Sequence, residues 1–172
     1  RNFHSELQNG MIRASVSKDG GLTWEVIGEV PIPEDTEAAN FHEPHAVELK
    51  SGKIIGMIRY QHSQKIKNYD RFTMFQTESF DGGKTWSIAR PTGVSGSPPH
   101  LLRHSSGAII CVYGYREIPY GQRAMISYDE GQTWDTDYIL RDDGPDSDLG
   151  YPASVELDDG SIFTIYYQKY AA

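Results

Sequence analysis

A single cysteine, Cys111, stands in the whole chain, so no internal disulfide framework can hold it together. Its neighbours in Ala108-Ile-Ile-Cys-Val112 are apolar and mark it as a buried structural thiol rather than a nucleophile. Positive charge is scarce. Sixteen Lys and Arg against 24 Asp and Glu give a formal net charge of -8, which argues against the basic surface of a nucleic-acid binder. Any anionic ligand must then be met by a local group of arginines. No apolar run approaches the roughly 18 residues that cross a bilayer as a helix, so no membrane span is expected. The chain opens on Arg1 with no signal-like apolar segment, and an export signal would lie outside this sequence. Helical spacing is also missing. What is abundant is Gly (17), Pro (9) and Tyr (11), the composition of many short strands joined by tight turns.

Two repeats run through the chain in fixed phase. The first is S-x-D-x-G-x-T-W, found as Ser17-Lys-Asp-Gly-Gly-Leu-Thr-Trp24, Ser79-Phe-Asp-Gly-Gly-Lys-Thr-Trp86 and Ser127-Tyr-Asp-Glu-Gly-Gln-Thr-Trp134. The Asp folds its carboxylate onto nearby backbone N–H groups, Gly supplies positive φ, and Ser and Thr add local hydrogen bonds. The Trp is expected to enter the core beside the turn. These aspartates, Asp19, Asp81 and Asp129, are therefore turn formers rather than catalysts. The second repeat begins at Pro44, Pro99 and Pro152 and runs to Gly52, Gly107 and Gly160. Each then continues Gly-x-Ile into an apolar or aromatic strand.

Together they describe a unit of strand, tight turn, strand, longer loop, strand, S-x-D-x-G-x-T-W turn, strand. Blades of about this length repeated in tandem are the mark of a β-propeller. The fold class expected is all-β, a propeller of four-stranded antiparallel blades. Residues 1–40 supply the outer half of one blade, 41–94 a blade, 95–147 another, and 148–172 the inner strands of the last. Only about three blades are present, where closure takes roughly four to eight. The sequence is expected to be part of something larger, completed by the missing propeller half or by a second copy of the chain.

Topology sorts the residues by end. The tight turns and the S-x-D-x-G-x-T-W turns fall at one end of the blades. The linkers into each first strand, and the loops between second and third strands, fall at the other, which brings Glu43, Arg59, Arg123 and Tyr151 together near the axis. Two convergent guanidinium groups make a clamp for a carboxylate. Tyr beside Glu is a nucleophile with its own base, suited to a substrate whose carboxylate would repel an anionic nucleophile. Arg123 has a structural rival reading, because Arg13 stands at the same offset before the first turn. His42, His100 and Arg116 are further candidates to line the pocket. His42-Glu-Pro-His45 invites a metal reading, but Pro44 prevents the helix that would align the two rings, and no metal or cofactor is expected. Asp142, Asp143, Asp146 and Asp148 read as an acidic solvated loop rather than a Ca²⁺ site.

On these residues the sequence resembles the sialidase (neuraminidase) superfamily, six-bladed propellers marked by Asp boxes, or BNR repeats. Glu43-Pro-His-Ala-Val-Glu-Leu-Lys-Ser-Gly-Lys-Ile-Ile-Gly-Met-Ile-Arg59 is similar to the segment holding the nucleophile's Glu partner and the second Arg of a carboxylate-binding triad. Arg123-Ala-Met-Ile-Ser-Tyr-Asp-Glu-Gly-Gln-Thr-Trp134 is similar to the segment of the third, and Gly150-Tyr-Pro-Ala-Ser-Val-Glu-Leu-Asp-Asp-Gly160 to that of the Tyr nucleophile. The resemblance covers essentially the whole chain, as the C-terminal half of a catalytic domain. It implies a retaining exo-sialidase-like glycosidase acting on terminal sialic acid or a similar carboxylated sugar of a glycan, and it favours a secreted or periplasmic location. Pro152 replaces a common Ser, and Gln168 stands where an acidic residue often follows the last strand's Tyr. The family's first triad Arg and acid/base Asp have no match in residues 1–40. The alternatives are a hydrolase for another sugar, or a non-catalytic Asp-box propeller that binds glycans or serves as an assembly surface.

Overall fold

The computed structural model describes residues 11–62 and 69–169; residues 1–10 of the outer half-blade, part of the 59–71 loop and residues 170–172 lie outside them. Among the described residues twelve strands form four antiparallel sheets. Strands β1 (Arg13–Val16) and β2 (Glu25–Glu29) make a two-stranded sheet. A four-stranded sheet follows, of β3 (Phe41–Glu48), β4 (Ile54–Tyr60), β5 (Thr73–Ser79) and β6 (Arg90–Ser95). A second contains β7 (Pro99–Arg103), β8 (Ile109–Tyr115), β9 (Gly121–Ser127) and β10 (Asp135–Arg141). A last pair is β11 (Leu149–Glu156) with β12 (Ile162–Gln168). The fold class is the expected one, all-β with four-stranded antiparallel blades; two such sheets follow one another in sequence order between two two-stranded sheets. Among the described residues no helix is long and apolar enough to cross a membrane.

The middle strands of each blade are covered on both faces and read as nearly unbroken apolar runs, Ile54-Ile-Gly-Met-Ile58 and Ile109-Ile-Cys-Val-Tyr113. Period 2 then sends alternate residues to opposite seams. Ile55 and Met57 meet Ile109, Cys111 and Tyr113 between the two whole blades, while Ile58 and Tyr60 face β1–β2 with Phe41 and Phe75. Each such fully buried side chain is worth about 1.5–3 kcal/mol. Cys111 is wholly buried in the first seam, and burial raises its thiol pKa, in keeping with a structural role.

The S-x-D-x-G-x-T-W turns have the expected wiring. Asp81 Oδ1 accepts the N–H of Lys84 (3.1 Å) and Thr85 (2.9 Å) and the hydroxyl of Ser79 (2.9 Å), and its Oδ2 accepts the Thr85 hydroxyl at 2.7 Å. The turns share an end with the tight turns, since Lys53 Nζ donates to the Glu130 carbonyl of the next blade at 2.8 Å. The tryptophans depart from expectation. Trp86 and Trp134 pack at the edges of the two main cores, but Trp24 is 67% exposed, because the half-blade β1–β2 has too little sheet around it to cover an indole.

Hydrogen bonds, those from the box Thr foremost, hold Asp19, Asp81 and Asp129 at pKa about 2 against an ordinary 3.8. A folded value below the unfolded one gives stability that is present above the unfolded pKa and is lost as pH falls through the folded one. The urea midpoint should therefore drop between about pH 4 and pH 2. Asp81→Asn, unable to titrate, should show a shallower drop over that window, and an unchanged slope would count against the boxes as its source.

Candidate active site

Glu43 and Tyr151 occupy equivalent places in the repeat, each immediately before a proline. Both lie in register breaks of a first strand, between His42 and His45 in β3 and between Gly150 and Ala153 in β11. Both have left-handed backbone, with φ of 47° and 54°. This is unusual for side chains of that size, and more so before proline, where extended backbone is favoured; each costs about 1–3 kcal/mol. The bulge lifts the side chain off the strand's inward and outward alternation, and Tyr151 stands 54% exposed at the end of the blades opposite the S-x-D-x-G-x-T-W turns.

Arg59 reaches Glu43 from β4, with its Nη1 donating to Glu43 Oε2 at 2.5 Å, while Nη2 bonds Gln61. The guanidinium is only 12% exposed, and its Nε is buried with no hydrogen-bond partner among the described residues. His42 is the register partner of Arg59, so the two side chains project to the same face, and His42 is exposed.

The group that links the two bulges is Arg116, just past the end of β8. Its Nε donates to the Ser97 carbonyl at 3.1 Å and its Nη1 to the Ser147 carbonyl at 2.7 Å. Its Cζ lies 5.9 Å from the Tyr151 ring centroid and 5.7 Å from that of Phe72, within cation–π range. Burial foremost, and then the charge of Arg59, lower its pKa, while Tyr151, Glu43 and Asp148 act in the opposite sense.

Arg123 faces the seam between the whole blades, into which Arg59 also points, but it has its own contacts. Its guanidinium stacks over Tyr115 with Cζ 3.8 Å from the ring centroid, and Nη1 donates to Asp137 Oδ1 at 3.2 Å. It is 12% exposed, unlike Arg13 at the matching offset, which makes an open cross-strand pair with Glu29 at 3.7 Å. The shared position thus serves two different ends. His100 is not brought to the cluster. Its ring packs on His45, centroids 4.1 Å apart, between the first strands of the two whole blades, where burial lowers the pKa of both.

The acidic loop closes on basic neighbours: Arg141 Nε donates to Asp143 at 2.9 Å, and Lys169 pairs with Asp148 at 2.8 Å and Asp146 at 3.6 Å. Gln61, Phe72, Tyr115 and Asp137 are site neighbours that carried no signal in the sequence, since each matters only through an arginine packed on it from elsewhere. For a chain of net charge -8, the loop end of these strands holds Arg59 paired with Glu43, Arg116 beside the exposed phenol of Tyr151, and Arg123 paired with Asp137. That set can bind an anion and present a phenolic oxygen beside it.

The chain matches the BNR repeat-like domain family over residues 4–164. No curated protein resembles it closely enough to count as a relative by sequence alone. Among solved structures it is similar to a protein of unknown function from Dyadobacter fermentans, at 31% identity and TM-score 0.75, covering 90% of this chain and 40% of that one. It is also similar to the K499G mutant of the NanB sialidase of Streptococcus pneumoniae, at 22% identity and TM-score 0.68, covering 94% and 24%. A third is the α-L-arabinanase of Penicillium chrysogenum complexed with arabinobiose, at 19% identity and TM-score 0.64, covering 91% and 49%. The chain spans less than half the length of each, and the two glycoside hydrolases share its fold. With the S-x-D-x-G-x-T-W turns formed, the blades in order and nearly the full chain matched, this protein belongs to the BNR repeat-like domain family.

Proposed function

We propose that the chain carries part of the active site of a retaining exo-glycosidase that removes a terminal carboxylated sugar, sialic acid or a close analogue, from a glycan. Arg59 and Arg123 hold the carboxylate. The Tyr151 oxygen attacks the anomeric carbon as the glycosidic bond breaks, and its proton passes to Glu43. The leaving oxygen takes a proton from an acid outside this set, and water then hydrolyses the glycosyl-tyrosine with retention. The observation that supports the reading is the pair of matching strained bulges at Glu43 and Tyr151, the latter with the Arg116 guanidinium beside its ring. Glu43 is held by Arg59. An incoming carboxylate competes for that guanidinium, which frees Glu43 to serve Tyr151.

The test is hydrolysis of a fluorogenic sialoside by the intact protein and by Arg59→Ala. Loss of one charge-assisted pair, about 1.5–3 kcal/mol, should raise KM roughly 10- to 100-fold. The methyl ester of the same sialoside should suffer similarly with the unaltered protein and be indifferent to the substitution. Equal turnover of a neutral arabinoside, insensitive to Arg59→Ala, would point to another sugar. Sialoside binding with no turnover would instead select glycan recognition alone, a reading favoured by the Glu43–Arg59 pair, which leaves Tyr151 without a base.

A further inference from the structure

The arginines of this chain are not equally served with counter-charge. Arg13, Arg59, Arg90, Arg123 and Arg141 each stand within ion-pair distance of a carboxylate, on Glu29, Glu43, Glu78, Asp137 and Asp143 in that order. Among the described residues Arg71, Arg103 and Arg116 have no such partner. Arg71 and Arg103 are exposed, where water serves them, but Arg116 is half-buried and anchored by neutral groups alone, the carbonyls of Ser97 and Ser147. A desolvated cation without a counter-charge is costly. Asp148 in the adjoining loop does not relieve it, because its carboxylate pairs with Lys169 at 2.8 Å.

The unused part of this guanidinium is Nη2, which has no acceptor among the described residues. It lies against Gly150, where a built Cβ would stand 3.4 Å from it, so the donor borders the backbone just before the exposed Tyr151. Arg71 brings a second unpaired cation to the same place. It belongs to the loop between the second and third strands of the first whole blade, the counterpart of the Arg116 loop in the second. Both guanidinium groups pack on the buried Phe72 ring, with Cζ 5.0 Å from its centroid for Arg71 and 5.7 Å for Arg116. In a chain of net charge -8, two cations without counter-ions on one ring make a local field that attracts an anion.

We propose that Arg71 and Arg116 form an anion subsite separate from Arg59 and Arg123. It takes a second anionic group of the glycan, a sulfate ester or the carboxylate of another acidic sugar, since a guanidinium offers paired donors to either. Arg59 and Arg123 must release Glu43 and Asp137 to meet a ligand, whereas Arg71 and Arg116 release only water. That the anion is part of a glycan rests on the proposed glycosidase. The anion binding itself does not.

The first measurement is a titration of the full chain with inorganic sulfate at low ionic strength, followed by NMR of the arginine side chains. The signals of Arg71 and Arg116 should move together, and Arg71→Gln should weaken sulfate binding at Arg116 about 10-fold. Arg103→Gln removes the same charge elsewhere on the surface and should leave that binding unchanged. The second measurement compares kcat/KM for a sialoside with and without a sulfate ester on its penultimate sugar. The intact protein should prefer the sulfated substrate about 10-fold, and Arg71→Gln should erase the preference. A disialylated substrate preferred over the sulfated one would identify the second group as a carboxylate. Sulfate binding at Arg116 that ignores Arg71→Gln, or falls equally with Arg103→Gln, would overturn the subsite, as would a preference that Arg71→Gln does not move. If the intact protein hydrolyses none of these substrates, the glycosidase reading fails, and the sulfate titration alone decides the subsite.

Discussion

Tyr151→Phe should cut hydrolysis of a sialoside by about 10³-fold or more, about 4 kcal/mol in barrier, while leaving the urea midpoint where it was. The substitution removes one hydroxyl from a ring that is 54% exposed, so no core contact is lost and the effect is chemical. The strained backbone at φ 54°, with Pro152 behind it and the Arg116 guanidinium beside it, keeps the ring in place with or without its oxygen. Glu43→Gln should cost less, on the order of 10²-fold, since it removes the proton acceptor and leaves the nucleophile. The direct measurement is trapping of the intermediate with a fluorinated carboxylated sugar, followed by peptide mass analysis. A glycosyl mass on the peptide containing Tyr151 is expected. Normal turnover by Tyr151→Phe, or a label elsewhere, would remove Tyr151 from the chemistry.

Gly121→Ala should be the most damaging single methyl. A Cβ at Gly121 would stand 1.9 Å from the Arg141 carbonyl oxygen and 2.6 Å from its carbon, both backbone atoms that no rotamer change can move. Strands β9 and β10 must part at that end, at a cost of about 3 kcal/mol or more. For a chain of this size that is a fall in Tm of roughly 6–12 °C. Gly52→Ala is the control. Gly52 has φ +84° but nothing within 4 Å of a built Cβ, so only the left-handed backbone is penalised, by about 1–2 kcal/mol. If the two variants melted together, contact with Arg141 would not be what requires glycine at position 121. Because Arg123 lies two residues further along β9, the same variant should also weaken sialoside binding.

The strands and turns of the blades were legible because their causes are local. Ser79, Asp81, Gly83 and Thr85 satisfy one another within a few residues, so the box can be read as a string. Alternation along β4 and β8 does the same for the two seams. The end to which Glu43, Arg59 and Tyr151 belong follows from counting turns. Arg116 was legible only as a weak candidate, since its place depends on the carbonyls of Ser97 and Ser147, separated from it by 19 and 31 positions. His100 illustrates the converse. Its position beside a pre-strand proline suggested the pocket, and contact with His45 from the neighbouring blade drew it into the seam instead.

The sequence by itself determined the blade, its phase, and the end at which chemistry can gather, because a period-2 strand and a hydrogen-bonded turn are decided by residues close in the chain. Only the tertiary structure decided which arginine stands beside Tyr151, that Arg59 pairs with Glu43, and that Arg123 stacks on Tyr115. Those outcomes depend on which blade packs against which and how far each guanidinium reaches. A long flexible side chain takes its partner from the neighbouring sheet, not from its neighbours in sequence.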